Sequence, residues 1–180
     1  KKWKLQSNGK TALLIEGARR VGKSTVVEEF AKNEYRSYIL IDFAEAPLDI
    51  QELFSDTSNL DYIFLQLQLR YSVQLFERES LIIFDEVQDC PKVINSMKYF
   101  CENAPQYHIA CAGSLLGITL ARPASFPVGK VNFLQIDPMT FSEFLIANGD
   151  KNLADFLENV NSIEPLPDAF FNPLYEKLKM

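Results

Sequence analysis

Apolar residues gather in five short runs, at positions 12–15, 38–43, 81–84, 109–112 and 131–136, separated by longer stretches of helical period. Runs this short and this apolar predict strands covered on both faces. Their alternation with helices predicts an α/β domain built on a doubly wound parallel sheet. Between the second and third runs Ile63, Leu67, Tyr71 and Leu75 recur four apart, a core-facing stripe on a helix predicted over 60–76. Val93, Met97 and Phe100 mark the same face on the helix that follows Pro91. Thr140 and Glu143 have capping-box spacing at the start of a helix carrying Phe141, Phe144 and Leu145.

Beyond Asp150 the strand pattern ends. A helix is predicted over 153–160, then Pro165 and Pro167 interrupt the chain, and an aromatic segment fills 170–178. The organisation expected is one main domain over 1–147 and a helical extension over 148–180, since 180 residues support one ordinary core and not two. The chain opens on Lys1 and stops at Met180 inside an amphipathic segment, so the extension is expected to begin a further region.

Charge narrows the partners. The net charge of −6 leaves no basic stripe of the kind a nucleic-acid groove needs, so nucleic-acid binding by this segment is not expected. No apolar run approaches the roughly 20 residues of a membrane helix, and the N-terminus lacks the layout of a secretory signal; a cytoplasmic protein without a membrane partner is expected. Cys90, Cys101 and Cys111 are widely spaced with no C-x-x-C pair, and His108 is the single histidine, so reduced core thiols are expected and not a zinc site.

The chemistry begins after the first strand. Gly17-Ala18-Arg19-Arg20-Val21-Gly22-Lys23-Ser24 fits G-x-x-x-x-G-K-[ST], between a strand and a helical segment that starts at Thr25. Glycines let the backbone curl so that successive N–H groups converge on phosphate at the positive end of a helix. The expected nucleotide-binding set is therefore Gly17, Ala18, Arg19, Arg20, Val21, Gly22, Lys23, Ser24 and Thr25. Lys23 would neutralise the outer phosphates in binding and in catalysis, and the Ser24 hydroxyl would ligate magnesium. Arg19 and Arg20 either reach phosphate or a neighbouring subunit, or are solvated at the loop surface.

The third apolar run ends in two acids, Asp85 and Glu86, as a Walker B strand does. That ending puts both at the carboxyl edge of the sheet, where open α/β folds bind ligands. Asp85 is the candidate magnesium holder and Glu86 the candidate base that polarises the attacking water. Ser114, after the fourth run, either senses the γ-phosphate, the preferred reading, or caps the next helix. His108 begins the same run at the opposite end and is expected to be structural.

These blocks together, G-A-R-R-V-G-K-S, L-I-I-F-D-E-V-Q-D-C-P, C-A-G-S, F-P-V-G-K-V and P-M-T-F-S-E-F-L, resemble the bacterial and archaeal AAA-type ATPases that carry a C-terminal domain of unknown function. The resemblance runs from Gly9 to Leu145. It implies a P-loop NTPase fold of the additional-strand type, with a five-stranded parallel sheet ordered 5-1-4-3-2 and flanked by helices. It also implies that the intact protein continues into a further, partly helical domain. Lys130 departs from the pattern, standing where similar proteins have arginine, which argues against phosphate sensing there. No arginine finger is assigned among Arg70, Arg78 and Arg122.

The function expected is a magnesium-dependent ATPase, slow in isolation, that binds ATP and moves an attached domain, with a homo-oligomer or protein partner. Two alternatives stand beside it: a non-hydrolysing, ATP-dependent interaction switch, and a small-molecule kinase, although no arginine-rich lid is evident. A GTPase is disfavoured because no N-K-x-D segment follows a late strand.

Overall fold

In the computed structural model, which describes residues 1–114, 129–160 and 167–179, the five apolar runs are the five strands of one sheet. Strands β1 (Ala12–Gly17), β2 (Ser37–Asp42), β3 (Ser80–Asp85), β4 (His108–Ser114) and β5 (Val131–Ile136) alternate with helices α1 (Lys2–Ser7), α2 (Lys23–Glu34), α3 (Leu48–Leu53), α4 (Leu60–Tyr71) and α5 (Pro91–Asn103). All pairings are parallel and the order is β2-β3-β4-β1-β5. This is the 5-1-4-3-2 arrangement of the P-loop NTPase fold, with β4 between β1 and β3.

The period of two sorts the strand residues between two cores. Leu14, Ile41, Ile82, Phe84, Ile109 and Cys111 face α4 and α5, while Leu13, Ile15, Leu81, Ile83, Ala110 and Ala112 face α2 through Val27 and Ala31. Phe43, Phe54, Phe84 and Phe100 form a linked set of rings in the first core, with centroids 5.3–6.2 Å apart. This packing sits directly beneath the carboxyl ends of β2 and β3.

Two expectations are corrected. The helix read over 60–76 stops at Tyr71, because Ser72 turns left-handed at φ 52°. Leu75 is still buried, but in the segment beyond the helix, where its N–H donates to Gln68 Oε1 at 2.8 Å. The fifth strand is not covered on both faces: β5 is an edge strand paired with β1, and Phe133 and Leu134 are nearly half exposed. Its terminal residues Val131 and Ile136 pack on the two cores.

Lys1–Asp137 form one compact unit and Pro138–Met180 a second. The second holds α6 (Phe141–Ala147), α7 (Lys151–Asn159) and α8 (Asp168–Leu178) around Leu145, Ala154 and Leu174. The capping box at Thr140 and Glu143 is present with both of its hydrogen bonds. Phe156 stacks on Phe170 at 3.8 Å, and Lys177 pairs with Asp150 at 2.8 Å. No described helix is long and apolar enough to cross a membrane.

Candidate functional site

The carboxyl edge of the sheet gathers the residues singled out by sequence. β1 ends at Gly17, α2 starts at Lys23, and the five residues between them form a tight loop. The two glycines serve different ends. A Cβ on Gly17 would lie 2.1 Å from the Ile136 carbonyl oxygen, so this position must be glycine for β5 to pair with β1. Gly22 has open space around it but adopts φ 89°, a conformation that only glycine enters freely. Arg20 also turns left-handed, at φ 63°. Helix α2 has no side-chain cap and no acid in its first turn, so its leading N–H groups open toward the loop.

Lys23 is buried at 6% exposure, and its Nζ donates to the Ala18 carbonyl at 2.7 Å and to the Gly17 carbonyl at 3.4 Å. The cation is therefore held inside the loop. Ser24 is half-buried on the same turn, whereas Ala18, Arg19, Arg20 and Thr25 are exposed and Val21 lies between these extremes.

Asp85 closes β3 next to this loop, where the Ser24 hydroxyl is near enough to its carboxylate to favour the charged form. Burial pushes the Asp85 carboxyl up from its ordinary value. The nearby Ser24 hydroxyl and the Glu86 N–H, 2.9 Å from Oδ1, work against that rise, and the charges of Glu86 and Asp42 add to it. Glu86 follows in the left-handed region at φ 48°, and its Oε2 accepts from the amide Nε2 of Gln88. Ser114 ends β4 opposite Gly17 in the β1–β4 register, 7% exposed at the same edge. The segment it would cap lies outside the described residues.

Two neighbours escaped the sequence reading. Asp42 ends β2 opposite Asp85 in the β2–β3 register, and its Oδ1 accepts from the Ala44 N–H at 2.9 Å. The signal for it was an apolar strand ending in an acid, as β3 does. Gln88 is the other, and its signal was an amide two residues beyond Glu86.

The remaining candidates fall elsewhere. Lys130 lies at the opposite, amino end of β5 and pairs with Glu102 at 3.4 Å, so it is no phosphate sensor. Arg78 lies just before β3 and its guanidinium bonds to Asn8, while Arg70 ends α4 and reaches Asp49 at 3.7 Å. Arg122 lies outside the described residues. His108 opens β4 with Nδ1 2.7 Å from Tyr35 Oη. All three cysteines are buried free thiols, and burial pushes each thiol up, Cys101 to about 11.

A profile of the AAA domain matches residues 9–145, three quarters of the chain and every site element above. The chain belongs to the AAA-domain family. Among solved structures, this AAA domain is similar to a Walker-type ATPase of Pyrococcus abyssi, at 22% identity and a TM-score of 0.52 over 98% of this chain. At that identity the likeness bears on the fold. The chain spans 60% of the length of the Pyrococcus protein. Two structures of Drosophila ORC bound to DNA and Cdc6 align with TM-scores of 0.48. The AT-rich complex shares 12% identity and covers 90% of this chain and 61% of its own; the GC-rich complex shares 11% and covers 99% and 73%. No curated protein matches this chain.

Proposed function

We propose that this AAA domain binds ATP with magnesium and hydrolyses it, coupling loss of the γ-phosphate to movement of an attached region or partner. The observation that carries this reading is the meeting of the 17–24 loop with Asp85: a buried lysine cation, an uncapped helix N-terminus and a serine–carboxylate pair at one sheet edge.

In this reading the first-turn N–H groups and Lys23 grip the phosphates, a combination of oriented dipoles and fixed charge. Ser24 and Asp85 would hold magnesium through hard oxygen donors, Asp85 by way of a water, as suits that cation. No cluster of three acidic, histidine or cysteine ligands occurs among the described residues, so an all-protein metal cage is not on offer. Magnesium, when bound, neutralises charge that builds on the phosphate oxygens. Glu86 accepts the proton of the attacking water, and Ser114 orients the phosphate from β4. Residues 1–147 would form the catalytic part and 148–180 the helical extension.

The test is calorimetry with magnesium and ATP or GTP, with phosphate release, on the chain, on Lys23→Ala and on Glu86→Gln. ATP binding lost in the lysine variant and turnover lost in the glutamate variant is the expected result. An absence of nucleotide binding in the parent would refute the reading.

A further inference from the structure

We propose that Gln88 is a positioning residue for Glu86, holding its carboxylate in one orientation at the sheet edge; this rests on the reading of Glu86 as the base of a hydrolytic site. The backbone of Glu86 is already fixed. Its N–H donates to Asp85 Oδ1 at 2.9 Å, and its carbonyl accepts from the Asp89 N–H at 2.9 Å. Neither bond restrains a side chain with three rotatable bonds. The amide of Gln88 does, through Nε2 donating to Glu86 Oε2.

This contact depends on the turn after β3. An extended continuation of the strand would carry residue 88 roughly 7 Å along its axis. Instead Val87–Asp89 form a short 3-10 turn, anchored by the fully buried Val87, that keeps residue 88 beside residue 86.

The amide's other end points the same way. Gln88 Oε1 is buried and has no hydrogen-bond partner among the described residues. Exchanging oxygen and nitrogen would set two acceptors against each other, so the donor must face Glu86. An amide retained for packing alone would be expected to satisfy both ends. Among the described residues Gln88 gives its donor to Glu86 and its acceptor to no partner.

The test uses the full chain with Gln88→Met, which keeps the length and removes the donor, and Gln88→Glu, which replaces the donor with a second acceptor. Thermal melts establish that each variant is folded. Steady-state ATP turnover and three-bond couplings that report the Glu86 χ1 rotamer are then compared. We expect kcat to fall by about 10-fold or more in both variants, with KM within about twofold of the parent. The couplings should show one Glu86 rotamer in the parent and averaging in Gln88→Met. An unchanged or raised kcat in the folded variants would overturn the proposal, as would a single Glu86 rotamer in Gln88→Met. If the parent releases no phosphate, the hydrolytic reading fails on its own. The rotamer comparison still decides whether Gln88 positions Glu86.

Discussion

Asp42 stands directly opposite Asp85 in the β2–β3 register, so two carboxylates from neighbouring strands end at the same edge of the sheet, one residue before Glu86. The charges of Asp42 and Glu86 both act on Asp85, at an edge whose loop and helix end are positive. Asp85 is the most buried of them, and its carboxyl is pushed up by burial first and by its acidic neighbours after that.

That shift fixes the sign of a stability change. A carboxyl raised in the folded state contributes stability below its unfolded value of 3.8, and this is lost as pH rises through the raised value. At neutral pH the ionised Asp85 therefore burdens the fold. Asp85→Asn should raise the melting temperature at pH 7 by about 2–4 °C, the response of a chain this size to about 1 kcal/mol. The gain should shrink as pH falls toward 3.8, and melts over a pH series check both points.

The two loop glycines should separate by cost. Gly17→Ala places a Cβ 2.1 Å from a β5 carbonyl, and strand backbone cannot easily yield, so a loss of about 3 kcal/mol is expected. Gly22→Ala meets no atom within 4 Å and costs only the strain of φ 89°, about 1 kcal/mol. Urea unfolding of the two variants gives the difference directly.

The same pair marks where sequence reading was sound and where it failed. The motif located both glycines, but it assigned them one reason, room for phosphate, and the space taken by Ile136 becomes visible only once β5 is paired. The strands were legible because apolar runs such as 81–84 are of strand length and alternate with longer segments of helical period. Their spatial order came from the resemblance, since composition carries no information on which strand stands beside which. Asp42 was missed because its local signal, an acid at the end of an apolar run, gains its meaning only from the β2–β3 register that sets it opposite Asp85. Ser72 gave no glycine or proline signal to end α4. The mixed run of β5 did not reveal an edge strand, because its apolar residues look the same whether covered or not.

At the amino edge, His108 predicts a pH dependence of the opposite sense to that of Asp85. Burial, with help from the nearby charges of Lys4 and Arg78, pulls its imidazole from 6.5 down to about 4. The neutral ring shares a hydrogen bond with Tyr35 through Nδ1 and packs edge-on against it, with centroids 5.5 Å apart. A base with a depressed value binds its proton more weakly in the folded state. The stability it contributes is therefore full above pH 6.5 and is lost as pH falls toward 4. Discounting for solvent at this edge, we expect a loss on the order of 2 kcal/mol across that window. Urea unfolding at pH 7 and pH 5 should show the fall in the parent and a flatter profile in His108→Asn.

Lys23 separates binding from stability. Its cation is buried at the positive end of α2 and is satisfied by the Ala18 and Gly17 carbonyls. Placing positive charge there opposes the helix dipole, and Ala18 is exposed enough for water to take over its hydrogen bond. Lys23→Met keeps the bulk of the stem and removes the charge. It should leave the fold as stable as the parent, or more stable by about 1 kcal/mol. A charge-assisted contact to phosphate contributes up to about 3 kcal/mol, so ATP affinity should drop by about 100-fold in the same variant. Calorimetry and thermal melts on one preparation decide the matter. Loss of both affinity and stability would make Lys23 a structural post of the loop, whereas affinity lost with stability retained assigns its charge to the nucleotide.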